Sequence, residues 1–232
     1  MLKKLTEEQQ QAILDSAIDE FGRNGLERAQ IGSIARKAGL SVGVIYKYYR
    51  NKEALIDTCL RHSVDILKKV LSEAVGGEAD LMKACEKLIR ACISFSREEP
   101  RYIEMYHAVT MKRGAEAAKY ADEIEGPASV IYTRLLEEAR ARGEVRSDLD
   151  PAAFAMFFDN HLMMTHLAYG VDYYRERLGL YKPGSAEREE ELVSQLMLFV
   201  RGALGAGDAG TAATGEPSGT AGRGEAEGGS AE

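Results

Sequence analysis

Apolar residues recur three and four positions apart through most of this 232-residue chain, and the strict alternation typical of strands is absent. Only five prolines interrupt the pattern. The sequence therefore predicts an all-α fold of about nine helices. The first helix begins near Thr6, where Gln9 completes a capping box, and ends at the turn 22–25, because glycine and asparagine accept the left-handed backbone of a helix end.

Residues that start and stop helices divide the rest of the chain. Ser41 is a good N-cap for the third helix, Asp150 and Pro151 begin the eighth, and Pro127 marks an internal start or kink in a long helical stretch. After the first helix, the predicted helices cover approximately residues 31–38, 41–48, 51–75, 80–97, 100–113, 115–142, 151–169 and 186–203.

The charge of the chain is unevenly distributed. The whole chain carries −7, but residues 1–52 contain nine Lys or Arg against six Asp or Glu, which leaves −10 for the remainder. Residues 28–52 contain no acid. Their cations are Arg28, Arg36, Lys37, Lys47, Arg50 and Lys52. A cationic patch on an anionic body binds a phosphate backbone locally, so this window predicts a nucleic-acid interface rather than an ordinary solvated surface.

The second and third predicted helices have the spacing of a helix-turn-helix, with Gly39-Leu40-Ser41 as the turn. In that motif the second helix enters the major groove while its neighbours hold it in place. The surrounding region follows one pattern in register, which comprises Phe21, Gly22, Gly25, Ile34, Ala35, Ala38, Gly39, Leu40, Ser41, Gly43, Ile45, Tyr46, Tyr48, Tyr49, Asn51, Lys52, Glu53 and Leu55.

This pattern, over residues 9–58, closely resembles the DNA-binding domain of the TetR family of bacterial regulators. The resemblance implies a homodimer that carries two N-terminal DNA-binding domains on a helical, ligand-binding body. Tyr46 and Lys52 match family positions that contact phosphate, and Tyr49 matches a core aromatic. The positions that face bases or adjacent phosphates are matched by Ser41, Val42, Gly43, Val44, Lys47 and Tyr48.

Three properties of these residues indicate DNA contact independently of the family resemblance. Gly43 permits close approach of the backbone to DNA. Tyr46, Lys47 and Tyr48 are consecutive on a short helix, so at least one or two of them face solvent. Lys52 lies at a helix start, where N–H groups favour anions.

The region also departs from the family pattern at the second helix. Ala29 and Gln30 stand where a capping threonine is usual, and Gly32 and Ser33 replace charged residues. No base contact is therefore expected from that helix.

Two C-terminal helices are apolar around most of their circumference. A helix that is apolar on every side must be buried on every side, and in so small a body one face needs a second subunit. The alternative is a pair buried within one subunit. The pattern predicts a four-helix dimer interface. Its candidate residues are Phe158, Leu162, Thr165, Tyr169, Leu192, Leu196, Phe199 and Val200.

Methionine, tyrosine and histidine cluster on the sixth and eighth predicted helices. Methionine adapts to irregular ligands, and a sparse Tyr or His supplies a polar anchor in an apolar pocket, although ordinary packing remains the alternative for each residue. The candidate pocket residues are Tyr102, Met105, Tyr106, His107, Met111, Phe157, His161 and Met164. They predict a hydrophobic or amphipathic small-molecule effector.

Other classes of protein have little support in the sequence. There is no HExxH, P-loop or nucleophile-elbow motif, so catalysis, a metal site and a cofactor are not expected. Cys59, Cys85 and Cys92 are an odd number without CxxC spacing, which fits core packing in a reducing cytoplasm. Neither a secretory signal nor a long apolar span is recognisable, so no membrane partner is expected.

The sequence thus predicts a cytoplasmic, DNA-binding transcriptional regulator with double-stranded operator DNA, a second copy of itself and an effector as partners. We expect a repressor that its effector releases from a palindromic operator. The alternatives are an activator, an architectural DNA-binding protein without a sensor, and an all-α enzyme. The predicted units are a DNA-binding domain (1–52), an effector and dimerisation domain (53–204), and a glycine-rich tail (205–232) that is expected to be disordered.

Overall fold

The computed structural model describes residues 5–184 and 188–205, and within these residues all regular structure is helical. The all-α prediction is confirmed. The ten described helices are α1 (Glu7–Arg28), α2 (Ile31–Lys37), α3 (Val42–Tyr48), α4 (Lys52–Val75), α5 (Leu81–Glu98), α6 (Pro100–Thr110), α7 (Gly114–Ala141), α8 (Pro151–Gly170), α9 (Asp172–Tyr181) and α10 (Glu189–Leu204). The predicted start of the last helix at Ala186 and the tail beyond Gly205 lie outside the described residues.

Helix starts follow the capping residues in the sequence. Thr6 and Gln9 form both hydrogen bonds of a capping box, with the Gln9 amide 3.2 Å from Thr6 Oγ1 and the Thr6 amide 3.1 Å from Gln9 Oε1. The side chains of Ser41, Asn51 and Asp150 accept hydrogen bonds from the first turns of α3, α4 and α8. Each cap satisfies an amide that the helix itself leaves unpaired, which sets where the helix begins.

Three elements differ from the sequence-based expectation. Helix α1 continues past Gly22 and its backbone breaks only at Gly25, whose φ of +73° glycine readily accepts, and Leu26 after the break is buried. Helix α7 is continuous through Pro127. Helix α9 was not predicted, and none of its residues is buried, although Tyr174 and Leu178 pack partly against the apolar clusters.

Two apolar clusters build the interior. The first joins α1, α2 and α3 to the start of α4 and to α6. The second lies among α5, α7, α8 and α10. Helix α6 lies against α1 so closely that a Cβ atom on Gly22 would be 2.8 Å from the Cβ of Glu104. The C-terminal body therefore touches the first helix directly.

A second close approach joins α8 to α6. A Cβ atom on Gly170, the last residue of α8, would lie 2.6 Å from the Cβ of Ile103. The obstructing atom is the first carbon of a branched side chain and cannot rotate away. Glycine at this position allows α8 to end directly over α6.

We predict that Gly170→Ala lowers the free energy of unfolding by about 1–3 kcal/mol, because the added methyl group overpacks the contact with Ile103. Urea denaturation followed by circular dichroism measures the change. Gly179→Ala in α9 is the matched control, since its Cβ meets nothing within 4 Å. That variant should leave stability unchanged or raise it by up to about 1 kcal/mol, and equal effects of the two substitutions would contradict the packing argument.

Candidate DNA interface and effector cavity

Helix α3 is anchored to the core mainly through the side chain of Ile45. Ile45 is its one buried residue, whereas Val42, Tyr46 and Tyr48 expose 41%, 49% and 37% of their surface. Three further residues that are predicted to contact DNA are exposed as well, namely Ser41, Gly43 and Lys47, whereas Val44 is half-buried. The fold thus presents the predicted recognition helix to solvent, and its contacts with bases remain a prediction.

Tyr48 and Lys52 are also tied to the protein itself. The Tyr48 hydroxyl accepts a hydrogen bond from the Leu5 amide at 2.8 Å, and the Lys47 ammonium lies 5.4 Å from the centre of the Tyr48 ring. The Lys52 ammonium donates to the Glu27 carbonyl oxygen at 2.8 Å. Lys52 therefore links the start of α4 to the end of α1, beside the surface where its phosphate contact is predicted.

A buried carboxylate from α1 holds α2. Glu20 is 4% exposed, and it accepts hydrogen bonds from the Gln30 amide at 3.3 Å and from Ser33 Oγ at 2.8 Å. Burial alone would raise the pKa of Glu20, but Ser33, the Gln30 amide and Lys37 together hold it below its ordinary value. This network ties α2 to α1, whereas the first turn of α2 has no side-chain cap in place of the threonine that the sequence lacks at Ala29 and Gln30. Glu20 was missed in the sequence analysis, although an acid beside Phe21 on the apolar side of α1 was a visible signal.

Several cations of the acid-free window remain available to an external anion. Lys37 pairs with Asp19 at 2.7 Å. Arg36, Lys47 and Arg50 are exposed and form no ion pair with any part of the chain that the structure describes. Surface cations without an acidic partner, beside an exposed helix, are what a phosphate backbone requires.

We predict that Lys47→Ala weakens binding to a labelled DNA duplex and makes the plot of log Kobs against log salt concentration shallower by about 0.9 for each phosphate that the variant no longer neutralises. Fluorescence anisotropy across a salt series gives both quantities. Lys69→Ala is the control, because Lys69 is exposed in the second half of α4. An unchanged salt slope in the Lys47 variant would show that this ammonium does not touch phosphate.

A cavity of about 70 Å³ lies among α4, α5, α6, α7 and α8. Its wall is apolar and aromatic, with a few polar groups from α4, α7 and α8. The lining residues are Leu60, Ser63, Val64, Leu67, Leu71, Phe95, Tyr102, Ile103, Tyr106, Ile124, Glu125, Ala128, Tyr132, Asp159, Leu162, Met163 and His166.

Two carboxyl groups face this cavity. The Tyr106 hydroxyl donates to Glu125 Oε1 at 3.0 Å, whereas no described donor bonds the carboxylate of Asp159. Burial, with the nearby charge of Glu125, raises the pKa of Asp159 to about 6, and burial also raises the pKa of Glu125. Burial lowers the pKa of His166 to about 4, so this imidazole is neutral at pH 7. Its Nδ1 is 2.6 Å from Ser96 Oγ.

The structure separates the candidate pocket residues. Tyr102 and Tyr106 line the cavity, while Met105 is fully buried and His107 packs against the ring of Tyr174. Met111 and Phe157 are 70% and 54% exposed, and His161 and Met164 line a different groove. The sequence analysis missed Glu125 and Asp159. Asp159 carried a signal, because it is the one acid in an otherwise apolar helix.

The second groove, of about 450 Å³, lies between α8, α9 and α10. Four candidate dimer residues line it, namely Thr165, Leu192, Leu196 and Phe199. The other four are buried within the subunit, namely Phe158, Leu162, Tyr169 and Val200. Beside the groove Met156, Phe157 and Leu198 are more than half exposed. Helices α8 and α10 thus contribute residues to the interior of the subunit and also present an exposed apolar face.

We predict that Asp159→Asn raises the free energy of unfolding at pH 7 by roughly 1–3 kcal/mol, because it removes a buried charge whose pKa is raised in the folded state. The ionised carboxylate destabilises the fold above about pH 6 and is neutral in both states below about pH 4, so the gain should disappear in acid. Urea denaturation at several pH values measures this. Asp65→Asn, at an exposed acid of α4, should change stability by no more than about 0.5 kcal/mol.

The described residues lack two features that would indicate other kinds of site. None of their helices is long and apolar enough to cross a bilayer. No group of three or more His, Cys, Asp or Glu side chains is arranged to hold a metal ion in the ranges 5–184 and 188–205.

An exposed short helix with free cations, held by a helix-turn-helix and joined to a helical body with a cavity, defines a DNA-binding transcriptional regulator. Residues 13–59 match the model for bacterial regulatory proteins of the tetR family. Residues 13–59 thus form a DNA-binding domain of the TetR type. Regulators of this type bind operator DNA as homodimers and respond to small-molecule effectors.

Two relatives show the range of the similarity. The nucleoid occlusion factor SlmA of Haemophilus influenzae (strain PittGG) is 22% identical over 146 residues, which cover 60% of this chain and 67% of the relative. The fatty acid metabolism regulator protein of Bacillus subtilis (strain 168) is 22% identical over 138 residues, which cover 60% of this chain and 71% of the relative.

Solved structures share the whole fold. The transcriptional regulator FadR from Bacillus subtilis, in complex with stearoyl-CoA, superposes with a TM-score of 0.66 at 17% identity, over 81% of this chain and 97% of that one. The ketosteroid transcriptional regulator KstR2 of Mycobacterium tuberculosis gives a TM-score of 0.60 at 19% identity, over 86% and 95% of the two chains. The similarity extends through the C-terminal body, well beyond residues 13–59.

Proposed function

We propose that this regulator is a repressor that leaves a palindromic operator when a hydrophobic or amphipathic effector enters the cavity among α4–α8. One observation carries the proposal. Two helices, α4 and α6, line the cavity and also contact the DNA-binding helices, so a change at the cavity wall moves a rigid element that reaches α1 and α3.

Helix α4 makes the first connection. Leu60, Val64 and Leu67 face the cavity, while Lys52 at the other end of the helix bonds Glu27 of α1. Only Tyr49, Arg50 and Asn51 separate α4 from the recognition helix. A tilt of α4 therefore changes the orientation of α3.

Helix α6 makes the second connection. It presents Tyr102 and Tyr106 to the cavity, and Arg101 pairs with Asp15 of α1 at 3.0 Å. The contact between Gly22 and Glu104 leaves no space between the two helices. Displacement of α6 is therefore passed directly to α1.

The size of the cavity explains why a ligand would act as a switch. About 70 Å³ holds roughly two water molecules, whereas ligand pockets enclose about 300–1,000 Å³. An effector enters only if the surrounding helices separate. It therefore binds the expanded conformation more tightly and shifts the population away from the DNA-binding one.

The same proposal includes the assembly and its setting. The exposed face of α8 and α10, with the groove beside it, is the proposed dimer interface. Residues 1–52 and 53–204 are the proposed DNA-binding and effector units, with 205–232 as an appended tail. We further infer that the chain acts in the cytoplasm, where operator DNA lies, and regulates transcription without catalysis, as its family match supports.

An apolar effector is consistent with two of the similar proteins, since one is named as a fatty acid metabolism regulator and another was solved with stearoyl-CoA. A second candidate function is DNA binding without a sensor, favoured by the similarity to a nucleoid occlusion factor. The cavity with its two half-buried carboxyl groups supports the first candidate, because an architectural role needs neither.

We expect selection from a random pool of DNA duplexes to enrich a palindrome whose half-sites are about one helical turn apart, with centres roughly 34–36 Å apart. Compounds that co-purify with the protein are extracted and identified by mass spectrometry. The protein should release this duplex when it is titrated with these compounds or with a library of amphipathic compounds. A complex that forms without sequence preference, or that survives every compound, would contradict the proposal.

A cavity-filling variant tests the connection between the two sites. Ala128→Leu adds volume at the cavity wall and should weaken release by at least about tenfold, while duplex affinity stays within about threefold of wild type. Ala118→Leu, on an exposed part of α7, is the matched control and should behave as wild type. Equal release from the Ala128 and Ala118 variants would place the effector elsewhere.

A further inference from the structure

We propose that the cavity among α4–α8 is built for a hydrophobic cation, such as a lipophilic amine or a quaternary ammonium compound. The inference rests on the proposed function, in which this cavity is the effector site, and adds the charge of the ligand. Two carboxylates and a set of aromatic rings on the same wall carry it.

The charged side chains that line the cavity are all acidic. Glu125 of α7 and Asp159 of α8 line the cavity, and its described lining contains no lysine or arginine. The single basic group in that lining is His166, which is neutral at pH 7. An anionic ligand would bring a further negative charge beside these two half-buried carboxyl groups, whereas a cation would be attracted by both of them.

The side chain of Asp159 has no hydrogen-bonding or ionic partner in the described part of the chain. Its carboxylate is held in an apolar wall, and no described side chain or amide donates to it. The carboxylate of Asp159 is half-buried, and a carboxylate that is partly withdrawn from water is stabilised by a paired cation. The described part of the chain supplies neither a counter-ion nor a hydrogen bond to Asp159, so a cationic ligand that displaces solvent from the cavity would pair with it.

Glu125 is arranged differently. Burial raises the pKa of Glu125, while the Tyr106 hydroxyl, which donates to it at 3.0 Å, opposes that shift and fixes one oxygen. Its other oxygen has no described partner. The two carboxylates come from adjacent helices, and their charges influence each other across the cavity.

The aromatic residues strengthen the case for a cation. Phe95, Tyr102, Tyr106 and Tyr132 line the same space, and the first two rings stack with centroids 5.7 Å apart. The face of an aromatic ring attracts cations, and it does so most strongly where water is excluded. Leucine and valine side chains from α4 complete the wall, so the ligand would combine one positive centre with an apolar body.

Three ligands of equal chain length separate charge from hydrophobicity. Decyltrimethylammonium, decanol and decanoate, each below its micelle concentration, are titrated into the full-length protein by isothermal calorimetry. We expect the cation to bind at least about tenfold more tightly than the alcohol, and the anion to bind more weakly than either. Decanoate binding as tightly as decyltrimethylammonium would overturn the proposal.

Isosteric variants assign the effect to the two carboxylates. Asp159→Asn and Glu125→Gln should each weaken binding of the cation by about tenfold and leave binding of decanol unchanged, and the double variant should remove the preference. Asp122→Asn, an exposed acid one turn before Glu125 on α7, is the control and should bind as wild type. Thermal unfolding verifies that each variant is folded. An unchanged ratio of cation to alcohol affinity in the Asp159 variant would refute the assignment.

The same three ligands added to the protein on its selected operator distinguish this inference from the proposed function. Binding of the cation without release of DNA would support the site and contradict the effector-released repressor. Release of DNA by decanoate instead would support the repressor and contradict the cation site.

Discussion

The contact between α1 and α6 is the constraint on which the rest of the molecule depends. At Gly22 the two helices meet with no space for a side-chain carbon, and Arg101 closes the same interface with an ion pair to Asp15. Packed helices with this little free volume cannot slide continuously past each other. A displacement of α6 at the cavity must therefore be transmitted to α1 or break the contact. The DNA-binding helices are thus mechanically part of the C-terminal body.

The DNA-binding unit resolves two opposing requirements. Its surface needs cations that are not neutralised by the protein, whereas its small core needs a firm attachment for α2. Glu20 meets the second requirement from within, since it is buried and directs its charge at the Gln30 amide, Ser33 and Lys37. The cations of the exposed surface keep their charge free of acidic partners within the described chain, namely Arg36, Lys47 and Arg50. The acid that bonds α2 is buried between α1 and α2 rather than exposed on the surface that is predicted to contact phosphate.

The carboxyl groups in the cavity wall lower the stability of the fold, and binding of a ligand would explain why they are there. Two carboxyl groups in an apolar wall destabilise the fold at neutral pH, and natural sequences keep such groups mainly where a ligand or a reaction uses them. The similar proteins named for fatty acids share the helical framework at low identity. A framework of this kind leaves the wall free to vary, so the charge that faces the cavity is set by a few side chains such as Asp159 rather than by the fold.

Local features of the sequence by itself determined the helical class, most helix starts, and the cationic helix-turn-helix, because caps, glycine turns and charge runs act over a few residues. Only the tertiary structure decided that Glu20 bonds the Gln30 amide and Ser33 of α2, that Phe158 and Val200 lie inside the subunit, and that Glu125 and Asp159 share one cavity. It also decided that Met111 and Phe157 lie outside that cavity. Helical periodicity shows that a face is apolar, but it does not show whether that face meets the core, a ligand or another subunit, since all three bury the same kind of surface.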